Sequence, residues 1–412
     1  MKQNPRKLLR QLLDAGLQQV SGLASVTRAL AQGPVSGPVH ALAVGKAADG
    51  MMRGAMGALA GQFVRGLVIP RADSRQEPLS PAINLSICPG SHPVPDQTSL
   101  DAGRAMVDFV AGVPPGETLL VLISGGASSL VEVLAEGVRL EQLVALNRYL
   151  LSAGLDIRQC NELRRRLSRI KAGGLLDFVQ TGKVVGLLIS DVPADDPAVI
   201  GSGLLTPQAI APLPGFLPAT LRDMFPPAPP FTAARVTARL QVIASNTQAL
   251  EAIARRAAEM GLRLGQGHGV LDGDAARQGR QIGQLLKVAT PGLYLWGGET
   301  TVFLPPVCGQ GGRNQHLALA AAMTLEDREG VYLLACGSDG NDGPGPWAGA
   351  LVDGGTLARG RAQGLDPGRC LQHADSGAFL LASGDLVQTG PTGTNVSDLA
   401  LALVTTRDGE LR

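Results

Sequence analysis

Residues 119–129 read LLVLISGGASS: five apolar residues in a row, then directly a loop of glycine and serine. A strand with one wet face would alternate apolar and polar residues, so an unbroken apolar run fits a strand covered on both faces, as in a parallel sheet. The same arrangement recurs on either side. Residues 39–44 (VHALAV) lead into Gly45-Lys46, and residues 83–87 lead through Cys88-Pro89 into Gly90-Ser91-His92. Residues 67–70 form a further apolar run, and residues 184–189 lead into Ser190-Asp191. Helical patterns, among them a Met- and Ala-rich one over 48–60, fall between most of these runs. Strands alternating with helices specify an α/β fold with a Rossmann-like parallel sheet.

Further along, the stretch 297–315, GGETTVFLPPVCGQGGRNQ, precedes a run of good helix formers, Leu317 to Ala322. That order puts Gly311, Gly312, Arg313 and Asn314 at a helix N-terminus, where unpaired N–H groups and a guanidinium would receive an anion. Apolar runs at 294–296, 301–304, 331–335 and 399–404 give this part a sheet of its own. The chain therefore divides into an N-terminal domain over 1–232, a connecting segment 233–290 with helices near 247–260 and 274–288, and a smaller α/β domain over 291–412. The boundary is drawn at a proline-dense stretch, 205–232. Leu8, Leu9, Leu12, Leu13, Leu17 and Val20 recur at helical spacing and predict an amphipathic helix at the start; residues 140–179 read as a helical region.

Composition narrows the function classes. Of 412 residues 45% are hydrophobic but only 3% aromatic, so the cores are built from aliphatic side chains. A net charge of +1 gives no reason to expect a nucleic-acid or membrane partner. There are six lysines against thirty arginines, which makes a lysine at a strand end the more informative cation. The five cysteines show no paired spacing and argue against a disulfide framework or a structural zinc site, and the N-terminus lacks a signal sequence; a cytoplasmic protein is expected.

Loops that follow the strands of a parallel sheet share one rim, and ligands bind there. Lys46, His92, Ser124 to Ser129, Asp191, Glu299 and Asp339 all follow apolar runs directly. Glycine-serine loops with a lysine, an arginine and aspartates suit a nucleotide and a divalent metal, with Asp191, Asp339 and Asp342 as candidate ligands. Asp195 and Asp196 read as surface charges, and Asp191, directly after the strand, is the stronger candidate. Ser124, Gly125, Gly126, Ser128, Ser129, Gly311, Gly312 and Glu299 are the expected nucleotide contacts. Neither G-x-x-x-x-G-K-[ST] nor G-x-G-x-x-G follows a strand, which disfavours a P-loop and a dinucleotide-dependent dehydrogenase. Arg165, Arg166 and Arg169 read as a solvated face, and His40, His268 and His373 as structural.

Taken together the motifs AVGKAA (43–48), GSHPVPD (90–96), LISGGASSL (122–130), N-x-x-R-x-x-L-S-x-I-K-x-G-G (161–174), ISDVPADDPAVIGSG (189–203), GGETTV (297–302), GGRNQ (311–315), GSDGNDGP (337–344) and GPTGTNVSDL (390–399) resemble the glycerate 2-kinase family, whose C-terminal part is the leucine-rich MOFRL domain. The resemblance implies ATP- and Mg²⁺-dependent phosphorylation of D-glycerate at its 2-hydroxyl, giving 2-phosphoglycerate and ADP, in a cleft between the two domains. It implies Lys46, Arg313 and Asp191 as catalytic residues, His92, Arg164 and Lys171 as substrate-binding, and Asn395 as nucleotide-binding. A cytoplasmic enzyme that could form a homodimer is the expected setting. Hydroxypyruvate reduction, or phosphorylation of a related sugar acid, is the alternative. The sequence departs from the family at Ala172, at His316 and over Gly345-Pro346-Trp347.

Overall fold

A computed structural model describes residues 4–72, 84–152, 154–155, 157–209, 211–215, 217–227, 236–267 and 269–406, so His268 lies outside it. Two units emerge. The first comprises Ser21–Ser245 with Gly393–Asn395, and the second Met1–Val20, Asn246–Thr392 and Val396–Arg412.

Six strands build the sheet of the first unit: β1 (Val39–Val44), β2 (Phe63–Ile69), β3 (Leu85–Ile87), β4 (Thr118–Ile123), β5 (Lys183–Ile189) and β6 (Ala238–Ala244). Every pairing is parallel, in the order β3-β2-β1-β4-β5-β6. All six residues of β1 and of β4 are buried, as continuous apolar runs require, whereas the edge strand β6 alternates. Leu42, Val44, Val121, Ile123 and Leu188 carry the core that the helices cover. The expected helical region 140–179 is broken into helices Leu140–Ser152 and Ile157–Arg166 and a 3₁₀ turn, Gly174–Phe178.

The sheet of the second unit is mixed: β7 (Gly269–Leu271), β8 (Gly292–Gly298), β9 (Val331–Gly337), β10 (Gly349–Asp353), β11 (Leu386–Val387) and β12 (Asp398–Val404), in the order β11-β10-β9-β12-β8-β7. Only the β7–β8 pair is parallel. The β-prone run 301–304 does not become a strand. Thr301 makes one bridge to Asp274, and Phe303 and Leu304 stay exposed. The prolines that follow, Pro305 and Pro306, cannot donate to a ladder.

The expected boundaries and the observed units differ in two places. The segment 233–290 divides, β6 completing the first sheet while helices Asn246–Glu259 and Ala275–Val288 join the second unit. The first helix, Pro5–Gln19, also belongs to the second unit, where Leu8, Leu9, Leu12 and Leu13 are buried. Spacing revealed that this helix packs on something later in the chain; it could not reveal which part. Among the described residues no helix is long and apolar enough to cross a membrane.

Charge fixes that helix in place. Arg6 pairs with Asp353 through Nη1, and its Nη2 donates to the Leu351 carbonyl and to Asp385 Oδ1, each at 2.7 Å. Arg359 completes the network by pairing with Asp353 at 3.0 Å and Asp385 at 2.8 Å. Asp385 is 1% exposed, so loss of one of its cations leaves a buried carboxylate half-compensated. Arg6→Met is expected to lower unfolding stability by about 1–3 kcal/mol in urea titrations; an unchanged midpoint would mean that the leucine face alone docks the helix.

Candidate active site

The order 3-2-1-4-5-6 reverses direction between β1 and β4, and at such a switch point the loops leaving two adjacent strands diverge and leave a crevice. Here the loops interlock. Gly45 has φ +123°, and a Cβ added to it would lie 2.2 Å from Ser124 Oγ. This approach lets Lys46 N–H donate to the Gly125 carbonyl at 2.9 Å and Ala47 N–H to Ser124 Oγ at 3.0 Å. Ser124 is therefore a brace for the Lys46 turn, fully buried. The helix that follows, Ala48–Ala58, starts without a side-chain cap.

Four expected site residues gather over the next two glycines. A Cβ on Gly126 would meet His92 Cδ2 at 3.2 Å and Lys46 Cγ at 3.3 Å; one on Gly125 would meet Asp191 Oδ2 at 1.9 Å and Asn395 Nδ2 at 2.0 Å. Asn395 Nδ2 donates to Asp191 Oδ2 at 2.9 Å. Glycine is needed at 125 because the Asp191 and Asn395 side chains occupy the space of its missing Cβ. Lys46, His92 and Asp191 are each half-buried.

Beside this cluster Ser128 Oγ lies 2.7 Å from Ser202 Oγ, which donates to Asn161 Oδ1 at 2.9 Å. Ser129 is buried, 6% exposed. The half-buried Arg164 donates through Nε to Asn147 Oδ1 at 3.2 Å. Lys171 differs from expectation: it pairs with Glu132, both side chains 1% exposed, so its ammonium is sealed from a ligand. Burial pushes Glu132 up and Lys171 down in pKa, each against the attraction of its partner. The solvated reading of the basic run also needs correction. Arg165 and Arg166 are 8% exposed and donate to the carbonyls of Ala198 (2.6 Å) and Ala211 (2.5 Å), whereas Arg169 is exposed and lies over the Phe178 ring. Such a turn shows no sequence signal distinguishing carbonyl-bound arginines from solvated ones.

In the second unit the helix Arg313–Thr324 begins where the sequence places it, but its N-terminus is already filled. Asp342 Oδ1 accepts from Asn314 N at 3.0 Å and Oδ2 from Gln315 N at 2.8 Å. A Cβ on Gly312 would lie 2.3 Å from Asp342 Cγ. The anion that this glycine loop receives is thus the protein's own carboxylate. Burial, aided by nearby Asp398, raises the Asp342 pKa to about 6. With both oxygens committed to the helix, Asp342 does not fit the role of metal ligand expected of it.

Arg313 is held from two sides. Its Nε and Nη2 donate to Asp398 at 2.5 and 2.9 Å, and its Nη1 pairs with Glu299. Burial alone would lower its pKa, yet Asp398, Glu299 and Asp342 more than offset this and raise it. Glu299 therefore contacts the arginine. Asp398, 1% exposed, is the partner of Arg313 that sequence reasoning did not single out; its signals were its place in the motif at 390–399 and directly before the apolar run 399–404, where it opens the buried strand β12. Asp339 Oδ1 accepts from Asn341 N at 3.0 Å in its own loop. Among the described residues no three His, Cys, Asp or Glu side chains form a ready-made metal cage.

Comparison with known proteins covers both units. A family model described as a domain of unknown function, DUF4147, matches residues 8–212, and that of the MOFRL family matches residues 292–398. The chain is 35% identical to a D-glycerate 2-kinase of Thermotoga maritima over 88% of this chain and 90% of that one. It is 34% identical to a putative hydroxypyruvate reductase of Agrobacterium vitis, over 97% and 94%. A crystal structure of glycerate kinase from Thermotoga maritima superposes with a TM-score of 0.83 at 32% identity, over 97% of this chain and 99% of the other. Similarity of this extent in sequence and in fold, running through both halves, shows that the chain belongs to the glycerate kinase family.

Proposed function

We propose that this protein is a D-glycerate 2-kinase that transfers the γ-phosphoryl group of ATP to the 2-hydroxyl, releasing 2-phosphoglycerate and ADP. The observation that carries the proposal is the cluster at the switch point: a lysine, a histidine and a carboxylate packed against two glycines whose missing side chains leave room for them. In this reading the nucleotide phosphates lie along Gly45–Lys46 and Ser124–Gly126, at the start of the helix Ala48–Ala58. Ser128 and Ser129 extend that surface, whereas the helix start at Gly311 and Gly312 already holds the Asp342 carboxylate. The half-buried Arg164 receives the glycerate carboxylate, since a planar fork matches a carboxylate, and His92 donates to a substrate hydroxyl. Lys171 then acts from behind, through Glu132.

Asp191 accepts the 2-hydroxyl proton as the oxygen attacks the γ-phosphorus, and the bond to the bridging oxygen of ADP breaks. Lys46 offsets the charge that builds on the phosphoryl oxygens. Arg313, within the second unit, is the catalytic guanidinium, with Glu299 as the partner it exchanges for phosphate. Glu299, Asp339, Asp342 and Asp398 outnumber the single guanidinium of Arg313, on which three of them act directly. An excess of negative charge within the second unit fits a divalent cation, with Asp339 as a protein ligand. When bound, Mg²⁺ neutralises phosphate charge and keeps its own waters, so it needs no complete cage. The reading is of a cytoplasmic enzyme without nucleic-acid or membrane partners, and it allows a homodimer.

A relative named as a putative hydroxypyruvate reductase, together with a strand order that dinucleotide-binding folds also use, supports the competing reading. Against it, the turn after β1 is Gly45-Lys46-Ala47-Ala48, without the spaced glycines that seat a pyrophosphate. Two assays run in parallel separate them: ADP release with D-glycerate and ATP, and NAD(P)H oxidation with hydroxypyruvate. Turnover is expected in the first; turnover confined to the second would overturn the kinase reading.

Within the kinase reading, Lys46→Met and Arg313→Met should each reduce kcat by roughly 10²–10³ while circular dichroism shows the fold intact. A folded variant that raises only KM would assign its residue to docking. Asp342→Ala removes a helix cap and should cost about 1–2 kcal/mol of stability. The Mg²⁺ concentration for half-maximal rate should stay where it is, and a large increase would return Asp342 to the metal.

A further inference from the structure

Residues 394–398, Thr-Asn-Val-Ser-Asp, form a loop running into β12, yet none of them is exposed: Thr394 is 1% accessible, Asn395 7%, Val396 0%, Ser397 8% and Asp398 1%. Loops ordinarily lie at the surface because buried backbone polar groups need partners. Here partners are supplied for the Val396 N–H and for the carbonyls of Val396, Ser397 and Asp398. Thr392 Oγ1 donates to the Ser338 carbonyl at 2.5 Å, Val396 N to Ser338 Oγ at 2.8 Å, and Ser338 N to the Ser397 carbonyl at 3.0 Å. Asn246 Nδ2 donates to the carbonyls of Val396 and Asp398 at 2.7 and 2.9 Å. Ser397 is held at φ +65°, a conformation uncommon for a residue with a side chain.

What this clamped loop presents is two side chains. Asn395, within the first unit, donates to the Asp191 carboxylate; three residues later Asp398, within the second, grips Arg313 through two nitrogens. We propose that Asn395 and Asp398 are the positioning residues of the reaction, one fixing the carboxylate plane of Asp191 and the other the guanidinium plane of Arg313. Neither needs to touch a substrate. The assignment rests on the roles given above to Asp191 and Arg313, and it moves Asn395 from nucleotide contact to orientation of the base. A carboxylate or guanidinium turned by a fraction of an ångström still binds its ligand but meets the transition state poorly.

Steady-state kinetics with ATP and D-glycerate provide the test, on Asn395→Leu and Asp398→Asn made alone and in Asp191→Asn and Arg313→Met backgrounds. Each single variant should lose on the order of 10–100-fold in kcat with both KM values nearly unchanged. In the background lacking its own partner, each substitution should cost almost nothing more. Asp398→Asn alone leaves Arg313 facing a neutral group in a buried place and can fail to fold. The pair Asp398→Asn with Arg313→Met removes both charges together, and its kcat should equal that of Arg313→Met alone.

A nucleotide contact would instead show as a raised KM for ATP in Asn395→Leu that persists in the Asp191→Asn background, and that result overturns the assignment. A loss of equal size in both backgrounds shows a structural role and overturns it too. If Asp191→Asn and Arg313→Met themselves keep wild-type kcat, the roles proposed for those residues fail and this inference falls with them. That outcome is distinguishable because it appears before any change at 395 or 398.

Discussion

Gly45 has no room for a side chain, and the first unit's site depends on that. Because Ser124 Oγ occupies the place of its Cβ, the turn after β1 and the turn after β4 bond to each other through backbone and hydroxyl. Any other residue would push the two strand ends apart. The interlock sets where Lys46 leaves the chain and brings Gly125 and Gly126 beneath Asp191 and His92. A parallel sheet offers its ligand crevice at one place, where strand order reverses, and Lys46, His92 and Asp191 are found there.

The second unit solves a different problem. Its glycine loop and helix start form an anion receptor, and an internal carboxylate, Asp342, occupies it. Arg313 in turn is held by Asp398 and Glu299. Free energy that could have gone into binding a ligand orders the protein instead, and the guanidinium is held in one orientation. Preorganisation of this kind lets a charged group stabilise a transition state without reorganising during the reaction. The Glu299 side is the exchangeable one, since that carboxylate is 50% exposed while Asp398 is buried.

Legibility in the sequence followed the physics of each feature. Strands of the first sheet are visible because burial on both faces leaves unbroken apolar runs, and the rim is visible because each run ends in a polar loop. Lys46, His92, Asp191 and Asn395 accordingly meet in one place. Partnership is not visible. Nothing local says that Asp342, distant in sequence, caps the helix at Arg313, that Lys171 is sealed against Glu132, or that Arg165 and Arg166 turn inward to carbonyls. The run at 301–304 had strand propensity but gained only the bridge from Thr301 to Asp274, and the two prolines after it cannot donate to a ladder. The first helix displayed its apolar face clearly, while its destination was set by Arg6 meeting Asp353 and Asp385, a contact between the two ends of the chain.

The central claim is that this architecture moves a phosphoryl group onto the secondary hydroxyl of a three-carbon acid. Proton-coupled ³¹P NMR of the protein incubated with ATP, Mg²⁺ and D-glycerate tests it most directly, because a phosphate on the 2-oxygen couples to one carbon-bound proton and a phosphate on the 3-oxygen to two. The account requires a new phosphoester doublet growing as the ATP γ-resonance falls. A triplet would contradict the assignment of the 2-hydroxyl, and loss of ATP signal with no new phosphoester would contradict glycerate as the acceptor.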